Sequence, residues 1–214
     1  LRQTDVFLPR QNICTGVGMA KGCYYQLAFD GNGAAAWEWY HANHAGAYSM
    51  KELEQLAAAV AIGSDGMVAL ANSHTFGGLA GFRRYTSAHQ PGHFSRAIME
   101  STAASLKPLV DHLSQDQLPA AIVATGGAAH NDLWLQIKAD LLGIEYVRTE
   151  TRVPTCLGAA MLAAIALGWF ADLDAISRQW IKIQKRFSVH PEHHRQYLCW
   201  LENRSSLTSS FHTT

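Results

Sequence analysis

Residues 121–168 constrain this chain more than any other stretch: AIVATGGAAHNDLWLQIKADLLGIEYVRTETRVPTCLGAAMLAAIALG. The apolar run Ala120 to Thr125 has no alternation, the pattern of a strand covered on both faces in a parallel sheet. It ends in the Gly126-Gly127 turn, and an amphipathic helix is expected to begin at once, near Asn131 and Asp132. That helix turns Leu133, Trp134, Ile137 and Leu141 inward and stops at Gly143, a C-terminal glycine. Ile144 to Thr149 reads as the next strand, and Thr155 to Leu167 as an Ala-rich core helix ended by Gly168. Strands upstream followed by a β-α-β-α run define an α/β protein.

Upstream, residues 12–29 are rich in β-formers and broken by Gly16, Gly18 and Gly22, so they predict a hairpin or two short strands. GNG at 31–33 is a turn before a helix over Ala34 to Ala42. Ser49 and Glu52 form a capping box for a helix from Met50 to about Ile62. Met67 to Leu70 predicts a strand, Asn72 to Gly92 a long loop, and His93 to about Leu113 a helix that Pro108 kinks or splits. Arg178 to Leu201 adds one or two short helical pieces. The Ser/Thr-rich stretch 203–214 is expected to be a disordered tail, leaving 1–202 as one domain.

Composition narrows the partners. Charged residues make up 16% of the chain, against roughly 25% in an average soluble domain. Part of the apolar surface is therefore expected to be covered, by a missing domain or by a second copy in a homodimer. The opening on Leu1 fits a chain cut from a longer sequence. Net charge is zero and there is no basic stripe, so nucleic acid is not an expected partner. The run Ala159 to Ala171 is too short to cross a bilayer and suits a buried helix better. No signal peptide is visible. Cys14, Cys23, Cys156 and Cys199 lack CxxC spacing and read as buried or idle thiols of a cytoplasmic protein.

The Gly126-Gly127 turn has two readings. Without Cβ atoms its backbone can approach a phosphate, and following N–H groups favour an anion. Equally, it is an ordinary tight connection. GxGxxG and GxxxxGK[ST] are both absent. Asn131 offers an amide donor and acceptor, as the edge of adenine requires, or it simply caps the helix. His190, His193 and His194 in HPEHHRQY read as a solvated surface turn, because Pro191 breaks a helical face and no second cluster has ligand spacing. No metal site is expected.

Together these segments resemble the C-terminal domain of the FGGY carbohydrate kinases. TGGAAHNDLWLQIKADLLG is similar to that family's second nucleotide motif, and CLGAAMLAAIALG to its next helix. HFSRAIMES resembles the helix carrying half of the C-terminal signature, GNGAAAWEW the turn and helix that meet the terminal phosphates, and HPEHHRQY the closing segment. The resemblance spans roughly residues 12–200. It implies an RNase H-like (actin-like ATPase) domain: a mixed sheet with an antiparallel N-terminal hairpin and a parallel β-α-β-α half, plus inserted helices.

It further implies ATP and Mg²⁺ as cofactors and a sugar or polyol as acceptor. Gly126 and Gly127 would lie at the α-phosphate, Asn131 would face adenine, and Gly33 would approach the β- and γ-phosphates. Where the family can carry Gln, four residues after that last glycine, this chain has Trp37. The family's GERTP-like loop is replaced by GGLAGFRRYTSAHQPGHF, in which Gly77, Leu79 and Gly81 fit the start of the signature. The catalytic Asp, the first phosphate loop and most of the sugar pocket belong to the family's N-terminal domain, with Mg²⁺ held mainly there and by the phosphates. The expectation is thus a nucleotide-binding lobe, inactive alone and without catalytic residues of its own. Two other readings stay open: a non-catalytic interaction module derived from such a lobe, and an unrelated α/β enzyme binding a different phosphate ligand.

Overall fold

The computed structural model describes residues 1–31, 33–71, 78–114 and 117–208. Asn32 of the predicted turn, residues 72–77 of the predicted loop and residues 209–214 of the predicted tail lie outside these. Two compact units share the chain: Leu1–Phe29, Pro108–His130 and Tyr146–Arg186 in the first; Asp30–Lys107, Asn131–Glu145 and Phe187–Thr214 in the second.

In the first unit the predicted hairpin is β2 (Cys14–Val17) paired antiparallel with β3 (Tyr24–Leu27). A strand that the sequence did not signal, β1 (Arg2–Thr4), adds to the other edge of β3, giving the order β1-β3-β2. The Arg2 guanidinium donates to the Leu113 carbonyl at 2.7 Å. A further sheet has the order β6-β7-β8, from Ala121–Ala124, Glu145–Thr149 and Ile183–Phe187. The last of these replaces a predicted helical piece. Strand β6 is not covered on both faces in this chain, since Val123 is 60% exposed.

Helices α5 (Pro154–Ala166) and α6 (Leu173–Trp180) pack through Met161, Ala164 and Ile176, with Phe170 edge-on to Trp180. Pro154 suits the first turn of α5, where no N–H is needed. Helix α5 is not the buried helix that its composition suggests. Only Met161 and Ala164 are buried along it, and Leu167 and Trp169 beyond it are largely exposed. Its small apolar side chains give it a narrow buried stripe against α6.

The second unit holds α1 (Ala34–His44), α2 (Met50–Ala58), the antiparallel hairpin β4 (Val68–Ala71) and β5 (Leu79–Arg83), most of α3 (Pro91–Ser114), α4 (Asp132–Leu142) and α7 (Pro191–Thr208). The capping box is formed: Ser49 Oγ accepts from Glu52 N–H, and Glu52 accepts from Ser49 N–H. Helix α2 nevertheless stops at Ala58, short of Ile62, and a 3-10 turn over Ser64–Gly66 follows. Strand β5 lies within the stretch read as loop; its backbone is held by pairing with β4, as Val68 opposite Arg83. Helix α3 starts at Pro91 and is one helix through Pro108. Helix α7 continues to Thr208, well into the predicted tail.

The core of this unit gathers Leu53, Met67, Ile98, Met99, Trp134, Ile137 and Leu141. Of the face predicted for α4, only Leu133 is less than fully buried. Gly143 closes α4 at φ 69°, its N–H bonded to Ala139 O. The His194 ring lies against it, with Cε1 2.7 Å from where a Cβ would stand. Among the described residues no helix is long and apolar enough to cross a membrane.

Candidate functional site

Helix α4 does not follow the glycines directly. Gly126 takes φ +86°, which a residue with a Cβ adopts only under strain, and its carbonyl accepts from Ala129 N–H at 3.1 Å. That bond closes a 3-10 turn over Gly127–His130, which separates β6 from α4. The turn is held from β7, where Arg148 Nη1 donates to Ala129 O at 3.0 Å while Nε donates to Gln184 Oε1 at 2.8 Å. A Cβ added to Gly126 or Gly127 would meet nothing within 4 Å, so the space over this backbone is free.

Asn131 is the N-cap of α4. Its Oδ1 accepts from Trp134 N–H at 2.8 Å. The side chain is buried, and Nδ2 has no hydrogen-bond partner among the described residues. Asn131 Oδ1 thus caps the helix, and Nδ2 is a donor left over. A buried donor without a partner costs about 1–3 kcal/mol, so Nδ2 is the polar atom here with something to gain from a ligand.

Gly33 is the N-cap of α1, with no side-chain cap bond and no acidic residue in the first turn. Nothing lies within 4 Å of a Cβ built on it. Just before it, Asp30 accepts a hydrogen bond from Ser105 Oγ. Trp37 is not directed at a ligand. It is buried and packs edge-on against Trp134, with ring centroids 5.8 Å apart. Trp134 in turn donates from Nε1 to Met99 O at 3.1 Å. The ring in the Gln position is thus a core residue.

The segment HFSRAIMES builds an internal polar network rather than a ligand surface. Glu100 accepts from Arg96 Nε (2.8 Å), Gly63 N–H (3.0 Å), Tyr197 Oη (3.0 Å) and Ser64 Oγ (2.9 Å). Burial opposes the Arg96 charge, but Glu100 and Tyr197 outweigh it and the guanidinium is held above its ordinary value. Burial foremost, and then Glu100, pushes the Tyr197 phenol up.

The histidine-rich segment departs from its predicted form. Pro191 opens α7 instead of breaking a helix, and His190 and His193 converge on Asp140 of α4. Asp140 and Arg148 were not recognised as candidates from sequence. For Asp140 a signal existed: it sits on the same helical face as Leu133 and Ile137, where a carboxylate needs partners. The four cysteines are free; Cys23 is half-buried and the others are exposed.

Residues 15–167 match the FGGY family of carbohydrate kinases, C-terminal domain. Xylulose kinase from Bacillus subtilis is 29% identical over 188 residues, which cover 83% of this chain and 37% of that protein. Among solved structures, xylulose kinase from Rhodospirillum rubrum superimposes with a TM-score of 0.79 at 24% identity, over 98% of this chain and 44% of that one. Plasmodium falciparum glycerol kinase with ADP gives a TM-score of 0.74 at 16% identity, over 95% and 44%. These neighbours place the chain in the actin-like ATPase fold. The chain spans about two fifths of the length of the relatives it matches.

Proposed function

The chain belongs to the FGGY family of carbohydrate kinases through their C-terminal domain, and from that premise we propose that it is the nucleotide-holding lobe of an ATP-dependent sugar or polyol kinase. The observation that carries this reading is the uncovered glycine backbone at 33, 126 and 127, where a Cβ would meet nothing within 4 Å. Such positions admit a phosphate at contact distance of the main chain. Gly126 and Gly127 take the α-phosphate, Gly33 approaches the β- and γ-phosphates, and the leftover Nδ2 of Asn131 donates to the adenine ring. The ADP in the P. falciparum glycerol kinase structure supports an adenine nucleotide as the ligand class.

When bound, ATP supplies the γ-phosphoryl group, and Mg²⁺ neutralises its phosphate charge. No carboxylate of this chain is assigned to Mg²⁺, which is carried by the phosphates and by the N-terminal lobe that such kinases supply. The contribution of this chain is positioning. The general base and acceptor pocket belong to that other lobe, so the chain alone transfers nothing. Free thiols and the absence of a spanning helix among the described residues fit a cytoplasmic enzyme.

The test is a calorimetric titration of the purified chain with ATP and with tripolyphosphate, beside a coupled assay with glycerol and xylulose. ATP is expected to bind more tightly than tripolyphosphate, with no sugar phosphate formed. No ATP binding would overturn the nucleotide reading, and steady turnover by the chain alone would overturn its status as one lobe.

A further inference from the structure

We propose that Asp140, His190 and His193 form a binding site for one divalent transition-metal ion of the zinc class, joining α4 to the first turn of α7. The Nδ1 atoms of His190 and His193 lie 3.2 and 3.0 Å from Asp140 Oδ2, and the three donor atoms all lie within 4.8 Å of one another. Around a tetrahedral zinc with bonds of about 2.0–2.2 Å, neighbouring donors stand roughly 3.3 Å apart. The two nitrogen–oxygen spacings suit that geometry, and two nitrogens with one oxygen are a set that zinc, cobalt and nickel accept.

The carboxylate is oriented for this from behind. Oδ1 accepts the backbone N–H of His190 at 2.8 Å and Gln136 Nε2 at 2.9 Å. Gln136 is fixed in turn by the Ser188 carbonyl, 2.9 Å from the same nitrogen. Both amide hydrogens of Gln136 are thus engaged, although its nitrogen also sits 2.9 Å from His190 Nδ1. Oδ1 accepts two N–H bonds, and Oδ2 is the oxygen that both rings reach, His190 Nδ1 lying 3.2 Å from Oδ1 as well. Outer partners of this kind are what hold a metal's ligands in place.

Charge points the same way. Asp140 is only 3% exposed, and its partners among the described residues include no Lys or Arg. A buried carboxylate calls for a cation or a metal. Without an ion, His193 bonds Oδ2 through a proton on Nδ1, while His190 Nδ1 stands 3.2 Å from each carboxylate oxygen. With one, both turn lone pairs toward it and keep their protons on Nε2, facing water. The rings are 57% and 48% exposed, so an ion reaches them from solvent and keeps a coordination position for water.

This inference does not rest on the kinase reading, and its test needs no activity. The intact chain, stripped with a chelator, is titrated with Zn²⁺ by calorimetry and followed by thermal melting; Co²⁺ is added separately for its visible absorption. One equivalent is expected to bind and raise the melting temperature, and Co²⁺ is expected to give the strong bands of a four- or five-coordinate site. The double variant His190→Gln, His193→Gln removes both ring partners of Asp140. Its melting with zinc is read against its own metal-free melting, and it is expected to lose the zinc response. Gln136→Ala leaves all three donors and is expected to bind at least about tenfold more weakly at unchanged stoichiometry. Absence of binding at micromolar zinc, or binding undiminished in the double variant, as for an ion on the exposed thiols, would overturn the proposal.

Discussion

Arg96 and Glu100 stand one helical turn apart on α3 and meet through a 2.8 Å bond from Nε to Oε1, with Glu100 wholly inaccessible to water. Tyr197 donates to the same oxygen and accepts from Arg96 Nη2 at 3.2 Å, so the pair also anchors α7. Removing one partner strands the other charge in the interior. Glu100→Gln is expected to destabilise the second unit by about 3–5 kcal/mol, read as a lower urea midpoint. Tyr197→Phe loses one hydrogen bond of each kind and should cost about 1–3 kcal/mol. A Glu100→Gln protein as stable as its parent would show that the network adds little.

Asn131 separates capping from ligand recognition. Asn131→Ala removes the cap and is expected to cost about 1 kcal/mol of stability together with adenine nucleotide affinity. Asn131→Ser keeps a capping oxygen but has no amide donor. It should retain most of the stability and still bind ATP more weakly, with tripolyphosphate binding unchanged. Unaltered ATP affinity in the Ser variant would leave the residue as a cap only.

The paired glycines are expected to respond differently. Gly127→Ala places a methyl group in open space, so stability should stay within about 0.5 kcal/mol while phosphate affinity falls. Gly126→Ala must hold φ +86° and should lose roughly 1–2 kcal/mol of stability. Melting and nucleotide titration of the two variants read these effects independently. Full ATP affinity in Gly127→Ala would argue against close phosphate approach there.

Lys138 gives a pH-dependent prediction. Its Nζ lies 4.8 Å from the centre of the Trp134 ring, and burial lowers its pKa from 10.5 to about 8. Above pH 8 the folded chain sheds this proton while the unfolded chain still holds it. The contribution of Lys138 is therefore unfavourable below pH 8, and the penalty fades as pH rises toward 10.5. Lys138→Met should be more stable than the parent at pH 7, with the gap in melting temperature closing over that range. A gap that stays constant with pH would assign the gain to packing rather than charge.

What the sequence made legible were features with local causes. Asn131 and Gly143 bound α4 because a cap and a left-handed glycine act within one turn. Ser49 and Glu52 announce α2 for the same reason. Strand β5 was hidden because LAGFR has a central glycine and no alternation; its partner β4 makes it a strand. Strand β8 was hidden because its side chains are exposed except Phe187, so no apolar pattern marks it. At the candidate site the glycine turn and Asn131 were visible, but the 3-10 turn between them was not. Neither was the arrival of His190 and His193 on Asp140, a meeting across some fifty residues of chain.

Gly143 is constrained twice over. Asparagine is the usual substitute where a helix ends with positive φ, and on backbone grounds it would serve here. Its first side-chain carbon would nevertheless strike the imidazole of His194, which itself lies within 2.7 Å of the Asp140 carbonyl. Among variants of this protein, exchange at position 143 should accordingly follow a smaller residue at 194 and not precede it. The order in which two mutations can be tolerated is thereby written into the end of one helix.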